Sequence, residues 1–416
     1  MTAVLPRRTR DCVRTCAAVA LLLLVTGCMT VTPLTVAPPV VAPPVVAPPV
    51  PSLPASYLPV AFTALRGWND DRVQDAWPAF RVGCTALVKP DAALRTLWTP
   101  VCTAAENVDP SDGIAIRAFF EIHFSPYEVV AADGRVDGMV TGYYEPLLAG
   151  SRSATARFAV PLYAAPDDLL TVDLTALYPE FKDKRLRGRV DGRTVVPYWT
   201  RAEIEGGKAP SADKVLVYVE DPIEAFFLEI QGSGRVKLAD GSVMRVGYAD
   251  QNGHPYRSIG RVLIDRGEIT LDRASMQGIR EWGRRHPDQL PALLAENPSY
   301  VFFREVPAPL PGSLEAKIDG PIGALGVPVL AGRSIAVDTR SIPLGAPIFL
   351  ATTYPLSTKP LQRLVLAQDT GGAIRGAVRA DFFWGFGDDA GREAGRMKQD
   401  GRMWILWPNE TGPPRP

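Results

Sequence analysis

The sequence predicts a mainly β, loop-rich protein of two domains with few helices, and three observations predict it. The chain has 416 residues, 46% of them hydrophobic, enough to bury more than one core. Helix formers do not dominate, whereas 36 Gly and 40 Pro interrupt the chain throughout, and both residues punctuate strands and turns rather than extend helices. From Gly134 onward the pattern turns to strands, with apolar residues alternating. The formal net charge is zero, with no basic stripe and no acidic tail, so nothing in the composition steers this chain toward nucleic acid.

Residues 1–28 read as an address rather than as structure. Arg7, Arg8, Arg10 and Arg14 are basic, and Ala17 to Val25 is an apolar run too short to span a bilayer. The run ends in Val25-Thr26-Gly27-Cys28, which resembles a bacterial lipobox. That resemblance implies cleavage before Cys28 and diacylation of its thiol; the alternative is an ordinary secretory signal with a chance Cys. A lipid anchor fits the lack of any other hydrophobic run of membrane length. The next residue is Met29, not the Asp that marks inner-membrane retention, so the expected location is the outer membrane, facing the periplasm.

Residues 29–57 form a Pro-rich linker whose core, Val31 to Ala55, repeats Val-Ala-Pro-Pro. Proline fixes φ and removes donors, so this segment samples polyproline II, and at ~3.1 Å per residue it reaches about 75 Å. It suits a tether; a Pro-rich docking ligand is the rival reading, without the charged flanks such ligands carry. Cys12 and Cys16 leave with the signal, so Cys84 and Cys102 remain in an oxidising compartment. They are either two small buried thiols or a bridge closing a loop of ~18 residues, worth about 3 kcal/mol.

Folded sequence begins near Leu58. Trp68 to Phe80 and Ala92 to Val101 have mixed helical spacing, and Ile114 to Phe124 reads as a short buried helix. Val136 to Tyr144 alternates ahead of Glu145-Pro146, Val215 to Val219 is a further strand, and Arg235 to Leu238 and Val243 to Tyr248 flank the turn Ala239-Asp240-Gly241. Helices return between Arg257 and Leu294. A last strand-rich block runs from Ile335 to Leu406, with turns at Ile342-Pro343-Leu344-Gly345 and Thr370-Gly371-Gly372.

The three His, at 123, 254 and 286, stand apart, and no HExxH, CxxC or Gly-x-Ser-x-Gly occurs. No metal site is predicted, His254 reads as a turn residue, and with no GxGxxG after a strand no cofactor is implied. Carboxylates in unusual settings remain. Asp338 and Asp369 follow apolar runs, and Asp381 precedes Phe382-Phe383-Trp384. An Asp at the end of an apolar strand loses solvation, which favours its protonated form and raises its pKa, the property of a general acid. The bland alternative is that each caps a turn through backbone N–H groups. Flat rings beside Gly-rich turns form a second constellation, the mixture that sugar-binding sites use: Tyr143 and Tyr144, Gln231-Gly232-Ser233-Gly234, Gly371-Gly372, and Trp384. Taken singly, Tyr143 or Trp384 is as readily a core residue.

Gly142-Tyr143-Tyr144-Glu145-Pro146, Gln231-Gly232-Ser233-Gly234, the run Gly253 to Gly260, Ser299 to Arg304, and Gln368 to Gly376 resemble the membrane-bound lytic murein transglycosylase A family. The match continues through Ala390 to Gly395 and Gly401 to Leu406 and covers about residues 58 to 408. The resemblance implies a double-psi β-barrel built from residues 58–142 and 306–410, with a second barrel-like domain, residues 143–305, inserted between them and a large groove separating the two. The C-terminal block is the family's 3D domain, named for three aspartates that fall on Asp338, Asp369 and Asp381, and the single acid/base falls on Asp381.

The implied activity is a lyase reaction on peptidoglycan. The β-1,4 bond between N-acetylmuramic acid and N-acetylglucosamine is cut without water, giving a 1,6-anhydro sugar in cell-wall turnover. Asp338 and Asp369 are then supporting carboxylates. The implied partners are peptidoglycan glycan strands and, through lipid, the outer membrane; cell-wall synthesis or division proteins are further candidates. Two rivals stand beside this reading. One is a hydrolase using Asp369 and Asp381 as a pair, and the other is a wall-binding lipoprotein that does not cut.

Overall fold

The computed structural model describes residues 55–416 apart from Lys182, Asp183, Arg185, Ala209, Glu410, Thr411, Arg415 and Pro416. The chain divides into two units, Met1–Pro51 and Ser52–Pro416. The signal segment, Cys28 and the repeat as far as Pro54 lie outside the described residues.

The second unit opens on β1 (Ser56–Pro59), two residues inside the segment read as linker; Ser56 and Tyr57 ladder to Val130 and Val129 of β2 (Phe124–Val130). Between these strands lie α1 (Trp77–Leu87), α2 (Arg95–Ala105) and α3 (Gly113–His123). The spacing from Trp68 suggested a helix starting earlier, but Pro78 is tolerated only in a first turn, where its missing N–H has no partner to lose. Helix α1 therefore starts at Trp77. Asp112 caps α3 by accepting from the N–H groups of Ile114 and Ala115. Trp77 and Phe80 of α1 pack edge-on against Phe119 and Phe120 of α3. Cys84 and Cys102 are bridged across α1 and α2, with Cα atoms 5.6 Å apart.

The chain continues through β3 (Asp137–Glu145), β4 (Leu147–Ser151), β5 (Val160–Tyr163), β6 (Leu170–Thr171), β7 (Arg187–Asp191) and β8 (Thr194–Pro197). Then come α4 (Arg201–Glu203), β9 (Val215–Val219), α5 (Pro222–Gln231), β10 (Ser233–Leu238) and β11 (Val243–Gln251). After α6 (Ile259–Asp265), α7 (Met276–Arg285) and α8 (Leu290–Ala295) follow β12 (Val301–Glu305), β13 (Ser334–Val337), β14 (Pro347–Thr353) and β15 (Pro360–Asp369). The last elements are β16 (Ala380–Phe386), α9 (Gly387–Arg396) and β17 (Lys398–Pro408).

Six of these strands close a ring in the order β3, β16, β13, β15, β14, β17, because β17 pairs with β3 as well as with β14. Closure leaves the ring without a free edge. Two pairs run parallel, β3 with β16 and β13 with β15. Ile335, Val337, Leu350, Val365, Phe382 and Ile405 belong to the core at its centre. A second sheet, ordered β12, β11, β10, β4, β9, β5, is drawn round on itself by a bridge from Ala164 to Phe303. Leu148, Val217, Val236 and Phe303 fill it. Strands β6, β7 and β8 make a small third sheet. Helices α5 to α8 bury Phe226, Leu263, Trp282 and Leu293 in a cluster of their own. The fold is mainly β, as the sequence predicts.

Candidate active site

Strand register builds the site. Ala336 of β13 pairs with Asp369 of β15 on one side and with Asp381 of β16 on the other; Asp381 pairs with Thr141 of β3, and Thr141 with Lys398 of β17. Directly paired residues point to the same face of a sheet. Asp369, Ala336, Asp381, Thr141 and Lys398 therefore form one transverse row. Ala380 and Phe382, on either side of Asp381, belong to the barrel core while Asp381 is only half-buried, so the row lies on the outer face. Two strand spacings put the Cα atoms of Asp369 and Asp381 about 10 Å apart.

A bulge makes this row. Ile335 pairs with Ala367, but Ala336 pairs with Asp369, so Gln368 is the extra residue. Regular pairing would turn Asp369 to the other face, with Val337; the bulge re-aims it alongside Asp381. The fully buried Gln368 is satisfied inside, accepting from Ser334 Oγ at 2.6 Å and donating to the Ala79 carbonyl at 2.8 Å.

The two carboxylates differ in their bonds. Asp369 accepts from the Tyr143 hydroxyl at 3.0 Å and from the N–H groups of Ala324 at 3.0 Å and Thr370 at 2.9 Å. Burial pushes its carboxyl up to about 6 against those bonds, and the neighbouring Asp381 charge adds to the rise. Among the described residues Asp381 receives one hydrogen bond, from Thr141 Oγ1 at 2.5 Å. Burial raises its pKa, and the Thr141 bond and the Arg379 charge oppose the rise. The Arg379 guanidinium does not pair with Asp381 directly. It donates to the carbonyls of Ala380 and Met139 and, at 2.8 Å, to Thr141 Oγ1.

Asp338 corrects the sequence reading. Its strand-end position predicts a raised pKa, and burial does push that way. However, the Arg340 side chain at 2.7 Å, the Gly376 N–H at 2.8 Å and the Arg340 N–H at 3.2 Å outweigh burial and hold the carboxyl below its ordinary value. It ties the turn after β13 to the loop after β15, the capping role.

The aromatic and Gly-rich residues divide in the same way. Tyr143 is buried against Phe383, with ring centroids 5.0 Å apart, and burial, then Asp369 and Asp381, hold its hydroxyl well above its ordinary pKa, so it stays a donor. The Tyr144 N–H donates to Gln231 Oε1 at 3.1 Å and its hydroxyl meets Met276 Sδ at 3.7 Å. Gly232 ends α5 in the left-handed region at φ 78°. Ser233 and Gly234 enter β10, where a Cβ on Gly234 would lie 2.4 Å from Leu228. Gly371 and Gly372 follow Asp369 in a loop, and a Cβ on Gly372 would meet nothing within 4 Å. Trp384 is half-buried, with Nε1 3.3 Å from Met397 Sδ. His254 Nε2 lies 2.7 Å from the Tyr198 carbonyl, in a turn. Sequence reasoning missed Thr141 and Lys398. The period-two pattern of β3 carries the signal for Thr141, two residues before Tyr143 on the same face.

Two family models match the chain, the MltA specific insert domain over residues 139–304 and the 3D domain over residues 333–407. Membrane-bound lytic murein transglycosylase A of Escherichia coli K12 is 34% identical over 288 residues, 67% of this chain and 68% of that one. The crystal structure of MltA from Neisseria gonorrhoeae in its monoclinic form aligns with a TM-score of 0.75 at 39% identity, covering 88% of this chain and 97% of that one. E. coli MltA with bound chitohexaose aligns with a TM-score of 0.58 at 27% identity, covering 86% and 93%. The chain belongs to the membrane-bound lytic murein transglycosylase A family.

Proposed function

We propose that this protein is a peptidoglycan lytic transglycosylase in which Asp381 acts as acid and then as base. The observation that carries the assignment is the setting of Asp381: half-buried on the outer face of the barrel, its pKa raised by burial, with a single hydrogen-bond donor among the described residues. Protonated Asp381 gives its proton to the glycosidic oxygen as the bond to the muramoyl anomeric carbon breaks. The carboxylate left behind takes the proton of the muramoyl 6-hydroxyl, whose oxygen closes on that carbon. One carboxyl suffices because the nucleophile is already held within the substrate. The family relationship supports the reaction, and the E. coli relative carrying chitohexaose supports a site for glycan strands.

The test is digestion of isolated sacculi by wild type and by Asp381→Asn, weighing the muropeptides. Anhydro products from wild type, with kcat lower by a factor on the order of 10² to 10⁴ in the variant and sacculus binding retained, are expected for a lost acid/base. Wild-type-like release by the variant sinks the assignment of Asp381.

One observation favours a second reading. Asp369 shares the row with Asp381 and is also raised by burial, as the acid of a two-carboxylate hydrolase is. Products heavier by one water would select it.

The curated relative is named as membrane-bound, which supports membrane association here; among the described residues no helix is long and apolar enough to cross a membrane. We place the anchor at Cys28, as lipid in the outer membrane, with the Pro-rich segment as tether. Cys28→Ala should leave the protein soluble or unprocessed, and its normal recovery with outer membrane would refute the anchor.

A further inference from the structure

We propose that Thr141 and Arg379 are positioning residues that fix which oxygen of Asp381 carries the catalytic proton. The inference rests on the reading of Asp381 as acid/base. A guanidinium only donates hydrogen bonds. Thr141 Oγ1 therefore accepts from Arg379 Nη2, at 2.8 Å, and it gives its one proton to Asp381 Oδ1, at 2.5 Å. Oδ1 is thus held as an acceptor in both protonation states. The acidic proton of Asp381 is left to Oδ2, which donates it to the glycosidic oxygen and later receives the 6-hydroxyl proton back. Arg379 is held for this task from behind, by the carbonyls of Met139 and Ala380. It is 9% exposed, and none of the ion pairs among the described residues includes it. A buried cation without a carboxylate partner is costly, which sets Arg379 apart from the paired Arg333 and Arg340.

The same relay sets the pH dependence. The groups facing Asp381 are Arg379 just before its own strand, Thr141 and Tyr143 on β3, Lys398 beyond Thr141 on β17, and Asp369 on β15 beyond Ala336; α9 packs on β3 with Ala394 against Gly142. The bond from Thr141 favours the ionised carboxylate and so pulls the pKa of Asp381 down against burial. Removing the donor must raise that pKa and move the alkaline limb of the activity profile to higher pH.

The experiment follows sacculus digestion by Thr141→Val, Thr141→Ser and Arg379→Met across pH, with Asp381→Asn alongside. Thr141→Val should lose about tenfold in kcat, as expected for a misoriented group, with KM unchanged and the alkaline limb shifted upward. Thr141→Ser should restore both, and Arg379→Met should shift the limb in the same direction. Wild-type kcat and pH limb in a folded Thr141→Val overturn the proposal, and so does a loss confined to stability or KM. If Thr141→Val does not fold, Arg379→Met decides by the same two readouts. An active Asp381→Asn would instead remove the reading beneath it, whereas an inactive Asp381→Asn beside a wild-type-like Thr141→Val removes this inference alone.

Discussion

Two buried arginines mark the contrast between the inserted domain and the closed barrel. Arg201, 2% exposed, sits in the insert with every side satisfied: Glu229 at 2.6 Å, Glu205 at 3.2 Å, the carbonyls of Asn297 and Ser299, and the rings of Phe226 and Tyr300 below 5 Å. Glu229 in turn accepts from the Val301 N–H at 2.8 Å. Arg379, in the barrel, lies next but one in sequence to a carboxylate and does not pair with it; a threonine hydroxyl stands between them. Buried polar groups are normally satisfied, and a charge satisfied from all sides holds structure. A carboxylate with one donor and a cation that reaches it only through a hydroxyl leave reactive capacity unspent, the condition under which shifted pKa values point to chemistry. Arg201 is fully paired in the insert, as Arg333 is against Asp71 in the barrel, whereas Arg379 beside Asp381 is left under-paired.

The comparison breaks if the two sites respond alike to substitution. The largest effect is expected at Asp381, where Asn removes the exchangeable proton and the 10² to 10⁴ loss falls on kcat while the melting temperature stays within a few degrees of wild type. Arg201→Met is the opposite case. It strands the Glu229 carboxylate, already raised by burial, without its cation. Breaking a buried pair costs about 3–5 kcal/mol, a fall on the order of 10 °C in melting temperature, and kcat at low temperature should be unchanged for the folded fraction. Thermal melts and sacculus digestion on both variants read this out. A large kcat loss in folded Arg201→Met, or a large destabilisation in Asp381→Asn, would erase the distinction.

How much of this is legible in the sequence depends on how local the cause is. The alternation of β3 is local, so the strand ending at Glu145 can be read from the sequence, and so can the helix of α3. Pro78 is equally local, and giving it its full weight would have moved the start of α1 to Trp77. The row is another matter. Asp369 reaches the outer face only because Gln368 bulges, and Gln368 can be the extra residue only because Ser334 and the Ala79 carbonyl receive its side chain inside. Those partners lie 34 and 289 residues away. The pKa of Asp338 depends on a turn that folds Arg340 back and on a loop that brings Gly376 to it. A strand-end Asp carries no mark of whether such a turn exists. Gln231-Gly232-Ser233-Gly234 reads as a sugar-contacting turn, yet Gln231 spends its amide oxygen on Tyr144 and Gly232 ends a helix. The resemblance pointed to Asp381; the Thr141 hydroxyl that bonds it comes from a strand 240 residues away.

The smallest effect sharpens the comparison within the row itself. Asp369 is raised to about 6 from the ordinary 3.8, so between those values the folded protein holds a proton that the unfolded chain has released. The native state then binds more protons, and stability falls as pH rises through that window. At neutral pH the wild type carries the whole penalty of a buried charge, and Asp369→Asn should lift it. The variant should melt higher than wild type at pH 7.5, and the gap should close near pH 4, where both proteins are neutral at this position. Activity should survive and the alkaline limb should stay in place, because burial, the Thr141 bond and the Arg379 charge set the pKa of Asp381 and Asp369 is not among its causes. Melting curves at the two pH values and a pH profile of anhydro-product release check both outcomes. An equal melting gap at both pH values would mean that Asp369 is not the titrating group. Abolished turnover in a folded Asp369→Asn would turn the row from an acid/base with a supporting neighbour into the pair of a hydrolase.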